Sequence, residues 1–233
     1  MPVNRATIAG AVAVVALAGL AAAGFVASRR HAATATSPGT AGVPGAQGGA
    51  DDLLIGARTR GQADAPIVIY EVSDFECPFC RQFWAETLPH LESEYIQTGK
   101  ARLTFINFPI RQLHPNAPAA HELAMCGAEQ GRFWRLHDLL YSHQRDWAAL
   151  PDPQPYFRGL ADSVGMSQDS LKRCVASGHI RQLIAAEAQA SYQAGVKSTP
   201  SFIVQGVLLA GTAPIEAFRP ILDSIYAASG KRR

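Results

Sequence analysis

Asp74-Phe75-Glu76-Cys77-Pro78-Phe79-Cys80 sets two cysteines three positions apart with a proline between them. The run before it, Pro66-Ile67-Val68-Ile69-Tyr70-Glu71-Val72, is β-rich and apolar on both faces over Ile67 to Val72, as in a buried central strand. The run after it, Arg81-Gln82-Phe83-Trp84-Ala85-Glu86-Thr87-Leu88, reads as helix. A strand that ends in Cys-x-x-Cys at the mouth of a helix suits thiol–disulfide exchange. The helix N-terminus offers free N–H groups and partial positive charge, which favour a thiolate. The thiolate is the species that attacks a disulfide.

Working outward, residues 78 to about 98 read as one helix, ended by Gly99 and kinked by Pro89. Ala101 to Phe108 alternates as a second strand, closed by Pro109. Upstream, Leu53-Leu54-Ile55 reads as a short edge strand and residues 61–66 as a turn. From Ala117 to Gly195 the spacing is helical: Ala117 to Gln144, Pro155 to Val164, Ser167 to Ser177 with Ser167 as N-cap and Gly178 after its end, and Ile180 to Ala194. Ser201 to Val204 and Val207 to Ala210 form a hairpin turning at Gln205-Gly206. Pro214 to Ala228 is a last helix with its proline in the first turn. Strands separated by helices imply an α/β layer architecture.

Ala6 to Ser28 is an uncharged apolar run, long enough to span a bilayer but built mostly of alanine with three glycines. Residues 1–30 are therefore expected to be a signal anchor, or else a signal peptide cleaved near Ala23 or Ala35. Arg29 and Arg30 after the run, against Arg5 before it, favour a cytoplasmic C-terminal side. The cysteine pattern argues the other way, and the charge difference is one residue. Residues 31–50, rich in Ala, Gly, Thr and Pro, read as a flexible linker, and 51–233 as the folded domain.

The net charge of +2 gives no reason to expect nucleic acid. Four cysteines pair in three ways. The spacing of Cys77 and Cys80 assigns that pair and leaves Cys126 with Cys174, an even set that suits an oxidising compartment. A Cys126–Cys174 disulfide contributes on the order of 3–4 kcal/mol through loop entropy; its rival is two buried thiols. Zinc usually needs a second close Cys or His pair, which is missing, so neither metal nor cofactor is expected. His114, His121, His137 and His143 read as surface or core residues. Trp84, Phe133 and Trp134 read as core, with Phe75 and Phe79 as an apolar rim.

Cys77-Pro78-Phe79-Cys80, Thr199-Pro200, the acid at Glu71 and the helical block together resemble the thioredoxin superfamily, and within it the DsbA-like branch of exported oxidoreductases, over about residues 53 to 228. The segment His114-Pro115 through Cys126 to Phe133-Trp134 resembles the members with a second cysteine pair. The resemblance implies a thioredoxin fold with an all-helical insertion at about 115–195. It implies an exposed nucleophile Cys77, a buried partner Cys80, and a cis Pro200 facing them. Thr199, Pro200, Pro78 and Phe79 would meet the substrate. Glu71 would be a buried acid beneath Cys80 that exchanges its proton; the alternative is a solvated carboxylate. Relatives with His in place of Phe79 gain a positive dipole, so Cys77 is expected to be less acidic than in the strongest oxidants. Asp74 and Glu76 would raise its pKa slightly.

The expected activity is disulfide introduction into exported cysteine-containing proteins, by a membrane-tethered monomer outside the cytoplasm. A quinone-linked membrane partner of the DsbB or VKOR type would reoxidise it. The alternatives are a reductase or isomerase kept reduced by a membrane donor, and a non-catalytic chaperone module.

Overall fold

Ile67–Ser73 (β2) and Ala101–Asn107 (β3) are rich in β-branched and aromatic residues and pair in parallel, Ile67 opposite Ala101 and Ser73 opposite Asn107. In this computed structural model, which describes residues 50–230, they form the middle of a five-stranded sheet. Thr59–Arg60 (β1) flanks β3 antiparallel. Ser201–Val204 (β4) pairs antiparallel with β2, and Val207–Ala210 (β5) forms the outer edge. The order is β1-β3-β2-β4-β5. Gln205 and Gly206 both have positive φ, +49° and +82°, as a two-residue hairpin turn requires.

Leu53-Leu54-Ile55 is not a strand. It lies in the helix Ala50–Ala57 (α1), where Leu54 packs into the core while Leu53 stays exposed. Three consecutive apolar residues fit either period; packing chose the helical one.

Helix α2 begins at Pro78 and runs through the successive turns Pro78–Gln82, Phe83–Thr87, Leu88–Leu91 and Glu92–Ile96. The second and fourth are wound as π-turns. Pro89 cannot donate to the carbonyl four residues back, and a widened turn just before it absorbs the missing bond. Gly99, with φ +73°, ends the segment.

The helical block follows β3: α3 (Ala117–Ala128), α4 (Phe133–Ser142), α5 (Gln144–Trp147), α6 (Gln154–Ser163), α7 (Gln168–Ser177) and α8 (His179–Gln193). Ser167 caps α7 by accepting from the Ser170 amide, and Gly178 closes it in the left-handed region. The last helix, α9 (Ile215–Ala228), starts one residue after Pro214, which sits at its N-cap rather than in its first turn.

Two apolar cores meet at the start of α2. One lies between the sheet and α2/α9: Ile67, Ile69, Phe83, Leu91, Leu103, Phe202 and Phe218. The other fills the helical block and reaches the sheet end through Phe75 and Phe105. A buried ion pair joins the two parts. The Arg58 guanidinium chelates the Glu187 carboxylate and donates to the Phe105 carbonyl at 2.9 Å. Glu187 also accepts from the Asn107 amide at 3.0 Å and its side-chain nitrogen at 2.7 Å. Losing one partner strands the other in a dry interior.

Cys126 on α3 is disulfide-bonded to Cys174 on α7, 48 positions apart. The bond closes most of the helical block into one loop. We expect the double variant Cys126→Ala/Cys174→Ala to lose about 3–4 kcal/mol in denaturant unfolding while keeping native circular dichroism; a loss under about 1 kcal/mol would show that packing alone holds the block.

Candidate active site

The end of β2 and the start of α2 set the two thiols. Cys77 is the N-cap residue of α2 in extended conformation, and Pro78 takes the first turn, where its missing N–H has no intrahelical partner to lose. Cys80 is one turn in and fully buried; both cysteines are free thiols. The Asp74 amide points to the Cys80 sulfur at 3.5 Å. The Thr199–Pro200 bond is cis, and the Cys77 Sγ donates to the Thr199 carbonyl at 3.4 Å. The segment around Pro200 thus lies against the first sulfur.

Cys77 is less open than the sequence suggests: the residue is 4% exposed. Thr199 covers one side of it. On the other, Gln144 donates to the Phe75 and Cys77 carbonyls at 2.7 and 3.0 Å and holds the helical block close. What reaches solvent is the loop between the cysteines, Pro78 and Phe79, the latter 58% exposed. Phe75 does not join that rim; it is buried and stacks on Phe105 with centroids 4.8 Å apart.

The two thiols are pushed in opposite directions. The Cys80 thiol, donating to Cys77, lowers the Cys77 pKa to about 6 against the opposing effect of burial. The otherwise unpartnered Thr199 hydroxyl and the backbone N–H groups of Cys80 and Phe79 add to the lowering. Burial drives the Cys80 thiol well up, and the neighbouring Cys77 sulfur reinforces it. One thiol is therefore an anion near neutrality and the other a proton donor.

Glu71 is buried, on the sheet face that carries α2, between its strand neighbours Phe105 and Phe202. Burial lifts its pKa to about 7, moderated by the Ser73 hydroxyl and by Arg60. One of its oxygens has no hydrogen-bond partner. The solvated alternative for this residue fails. Ser73 also lowers the Cys80 pKa, so one hydroxyl serves both groups. Its Oγ lies 2.9 Å from the Tyr141 hydroxyl of α4.

Beside the thiols, Asp74 is fully buried. Its carboxylate accepts from the Glu76 amide (2.8 Å), the Ile110 amide (2.7 Å) and His114 Nδ1 (2.9 Å). That bond to Asp74 raises the His114 pKa above its ordinary value. His121 is buried; its Nε2 accepts from the Phe75 amide at 3.3 Å, which leaves Nδ1–H to donate to Asn107 at 2.7 Å. Burial lowers its pKa to about 4. His137 is likewise buried and its pKa lowered, whereas His143 sits half-buried against Asp146.

The structure thus brings together Cys77, Cys80, Glu71, Thr199, Pro200, Pro78 and Phe79, with the Cys126–Cys174 bond in the helical block. Ser73, Asn107, His114, Tyr141 and Gln144 complete the neighbourhood without having been assigned these places from sequence, alongside Asp74, which was expected only to raise the Cys77 pKa slightly. Ser73 flanks the motif and could have been weighed for it. Tyr141 and Gln144 arrive from α4 and α5 and carry no local signal. Among the described residues no group of three or more His, Cys, Asp or Glu is placed to hold a metal, and no helix is long and apolar enough to cross a membrane. The expected anchor at 1–30 and the linker expected at 31–50 lie outside the described residues, except Ala50, which opens α1.

Two buried groups, Glu71 and His121, pull the pH dependence of stability in opposite directions. For Glu71 the folded pKa lies above the unfolded value, so stability falls as pH rises from about 4.5 through about 7. For His121 the folded pKa lies below it, so stability falls as pH drops from about 6.5 through about 4. Glu71→Gln has no proton to lose. We expect it to gain on the order of 2–3 kcal/mol over the parent at pH 8 in urea unfolding and little at pH 5; an equal effect at both would place the Glu71 carboxylate in water.

The family model described as Thioredoxin matches residues 54–224. The chain is 32% identical over 193 residues to a Na(+)/H(+) antiporter NhaA 3 of Salinispora tropica, covering 81% of this chain but 28% of that protein. The chain therefore spans little more than a quarter of that relative's length. It is 30% identical over 155 residues to a probable disulfide bond formation protein D of Bacillus cereus, covering 65% of this chain and 71% of that one. Among solved structures, oxidised BdbD from Bacillus subtilis aligns with TM-score 0.67 at 18% identity, over 74% of this chain and 95% of that one. With a matching model over most of the domain, a mixed sheet carrying an inserted helical block, and paired cysteines at the start of α2, this chain belongs to the thioredoxin family.

Proposed function

We propose that this chain is a thiol–disulfide oxidoreductase that introduces disulfides into cysteine-containing proteins outside the cytoplasm. The observation that carries the proposal is the opposed acidity of the two thiols, Cys77 lowered and Cys80 raised, with Thr199 against the more acidic one. In the oxidising direction a substrate thiolate attacks Cys77 Sγ of the oxidised pair. The Cys77–Cys80 bond breaks, and Cys80 leaves with the electron pair and takes up a proton. A second substrate thiolate then attacks the substrate sulfur of the mixed disulfide and expels Cys77 as a thiolate. The substrate loses two electrons and the pair gains them. Cys77, more acidic than an ordinary thiol, leaves readily, and its stabilised anion favours the reduced form of the pair. That is the poise of an oxidant rather than of a reductase or isomerase.

Glu71 would take and return the Cys80 proton, with Ser73 between them, since its pKa near 7 lets it do both at neutral pH. Pro78, Phe79, Thr199 and Pro200 would form the rim on which an unfolded substrate rests. The small exposure of Cys77 means that the substrate sulfur approaches over that rim. Reoxidation falls to a quinone-linked membrane partner of the DsbB or VKOR type, with the chain acting as a tethered monomer. A non-catalytic chaperone would have no use for thiols of opposed acidity.

Acid quenching of cells followed by alkylation reads the in-cell state of Cys77 and Cys80. We expect them mostly oxidised; a mostly reduced pair would transfer the proposal to reduction or isomerisation. Cys80→Ser cannot form the Cys77–Cys80 bond, but its Cys77 thiolate still attacks a disulfide of an exported protein and displaces one of that protein's thiolates; without Cys80 to release it, this mixed disulfide should accumulate, and Cys77→Ser should accumulate none.

A further inference from the structure

Asp74 and Glu76 place two carboxyl groups within three residues of Cys77, and Phe79 brings no charge to oppose them. The Cys77 amide donates to the Asp74 carbonyl at 3.1 Å, so the sulfur is tied to that acidic corner. His114, in the loop between β3 and α3, covers the same corner. Its Nδ1 lies 2.9 Å from Asp74 Oδ2, and its side chain is 16% exposed. The charges that act on the imidazole are first Asp74 of the β2–α2 loop, then Cys77 at the start of α2 and Glu76 of the same loop. From α3, His121 comes within 4.0 Å of the other Asp74 oxygen, but burial keeps it neutral. Glu76 itself is held by the Asn116 amide at 2.8 Å.

We infer that His114 is an electrostatic positioning residue, an imidazolium held over Asp74 that supplies beside Cys77 the positive charge Phe79 lacks. The inference rests on Cys77 being the exchanging thiol. Asp74 raises the proton affinity of His114, and the Cys77 thiolate raises it further. Coupling between two sites is reciprocal: whatever the thiolate does for the imidazolium, the imidazolium does for the thiolate. When Cys77 and Cys80 lose two electrons and join, the thiolate charge disappears. His114 then binds its proton less tightly, and oxidation of the pair releases part of that proton.

The first test needs no variant. An NMR titration of the His114 ring in the full chain, with the Cys77–Cys80 pair reduced and then oxidised, should give a higher pKa in the reduced form; equal values would overturn the inference. The second test uses His114→Gln, whose amide still donates to Asp74 but carries no charge. The thiolate absorbance of Cys77 should titrate at higher pH, and exchange with a small disulfide near neutrality should slow roughly two- to fivefold, the size of one half-screened charge pair. An unshifted Cys77 titration would overturn the inference while leaving the exchange chemistry standing. If the parent chain failed to exchange with the small disulfide at all, the proposed function itself would fall.

Discussion

Asp74 is a carboxylate with no access to water, and the turn that carries the first thiol is arranged to satisfy it. Its side chain takes the Glu76 amide, the Ile110 amide and His114, and its backbone takes the Cys77 amide. Those bonds fix the turn that carries Cys77 against the loop leaving β3. A buried acceptor left without donors costs more than a hydrogen bond normally contributes. The turn therefore has one arrangement in which Asp74 is satisfied, and that arrangement puts the first sulfur at the helix N-terminus facing Thr199.

The same logic explains why the helical block belongs to the site rather than beside it. Tyr141 reaches Ser73 under the second sulfur, Gln144 fastens the carbonyls of Phe75 and Cys77, and His121 receives the Phe75 amide. These are polar groups from three different helices, each paired with a polar group of the sheet end. Phe75 stacking on Phe105 fills the space between them. A bare strand–helix motif would leave its carbonyls and amides to water. Here they are enclosed, which lowers the local dielectric and magnifies every charge effect on the cysteines.

Periodicity and punctuation carried most of the fold. The strands over Ile67–Ser73 and Ala101–Asn107, the hairpin at Gln205-Gly206 and the α7 caps at Ser167 and Gly178 each rest on a local rule, and each formed as that rule requires. Leu53-Leu54-Ile55 went the other way because three apolar residues contain no period to read. The cysteine pair, Glu71 and Thr199-Pro200 were legible because motif and family resemblance both point at them. Tyr141, Gln144 and His121 were not, since their partners lie 46 to 69 positions away and only tertiary packing brings them in. The near-burial of Cys77 was illegible for the same reason: Gln144 comes from within the helical insertion and Thr199 from beyond it, and only tertiary packing brings them to the sulfur.

Glu71 presents the opposite problem to Asp74. Its neighbours across the sheet are Phe105 and Phe202, and one oxygen has nothing to bond. On stability alone a leucine would serve better there, because an unpaired carboxyl in an apolar layer is costly whichever form it takes. Protonation reduces that cost, which is why the pKa rises to about 7. The consequence is a group that holds its proton loosely at neutral pH, in contact with the same hydroxyl that touches Cys80. In the proposed exchange Cys80 would have to gain and lose a proton each time its bond to Cys77 broke and formed, and burial denies it water for that purpose. Under the proposed exchange, the cost of burying Glu71 and the need of Cys80 for a proton partner would have one solution, with the destabilised group placed where the reaction could use it.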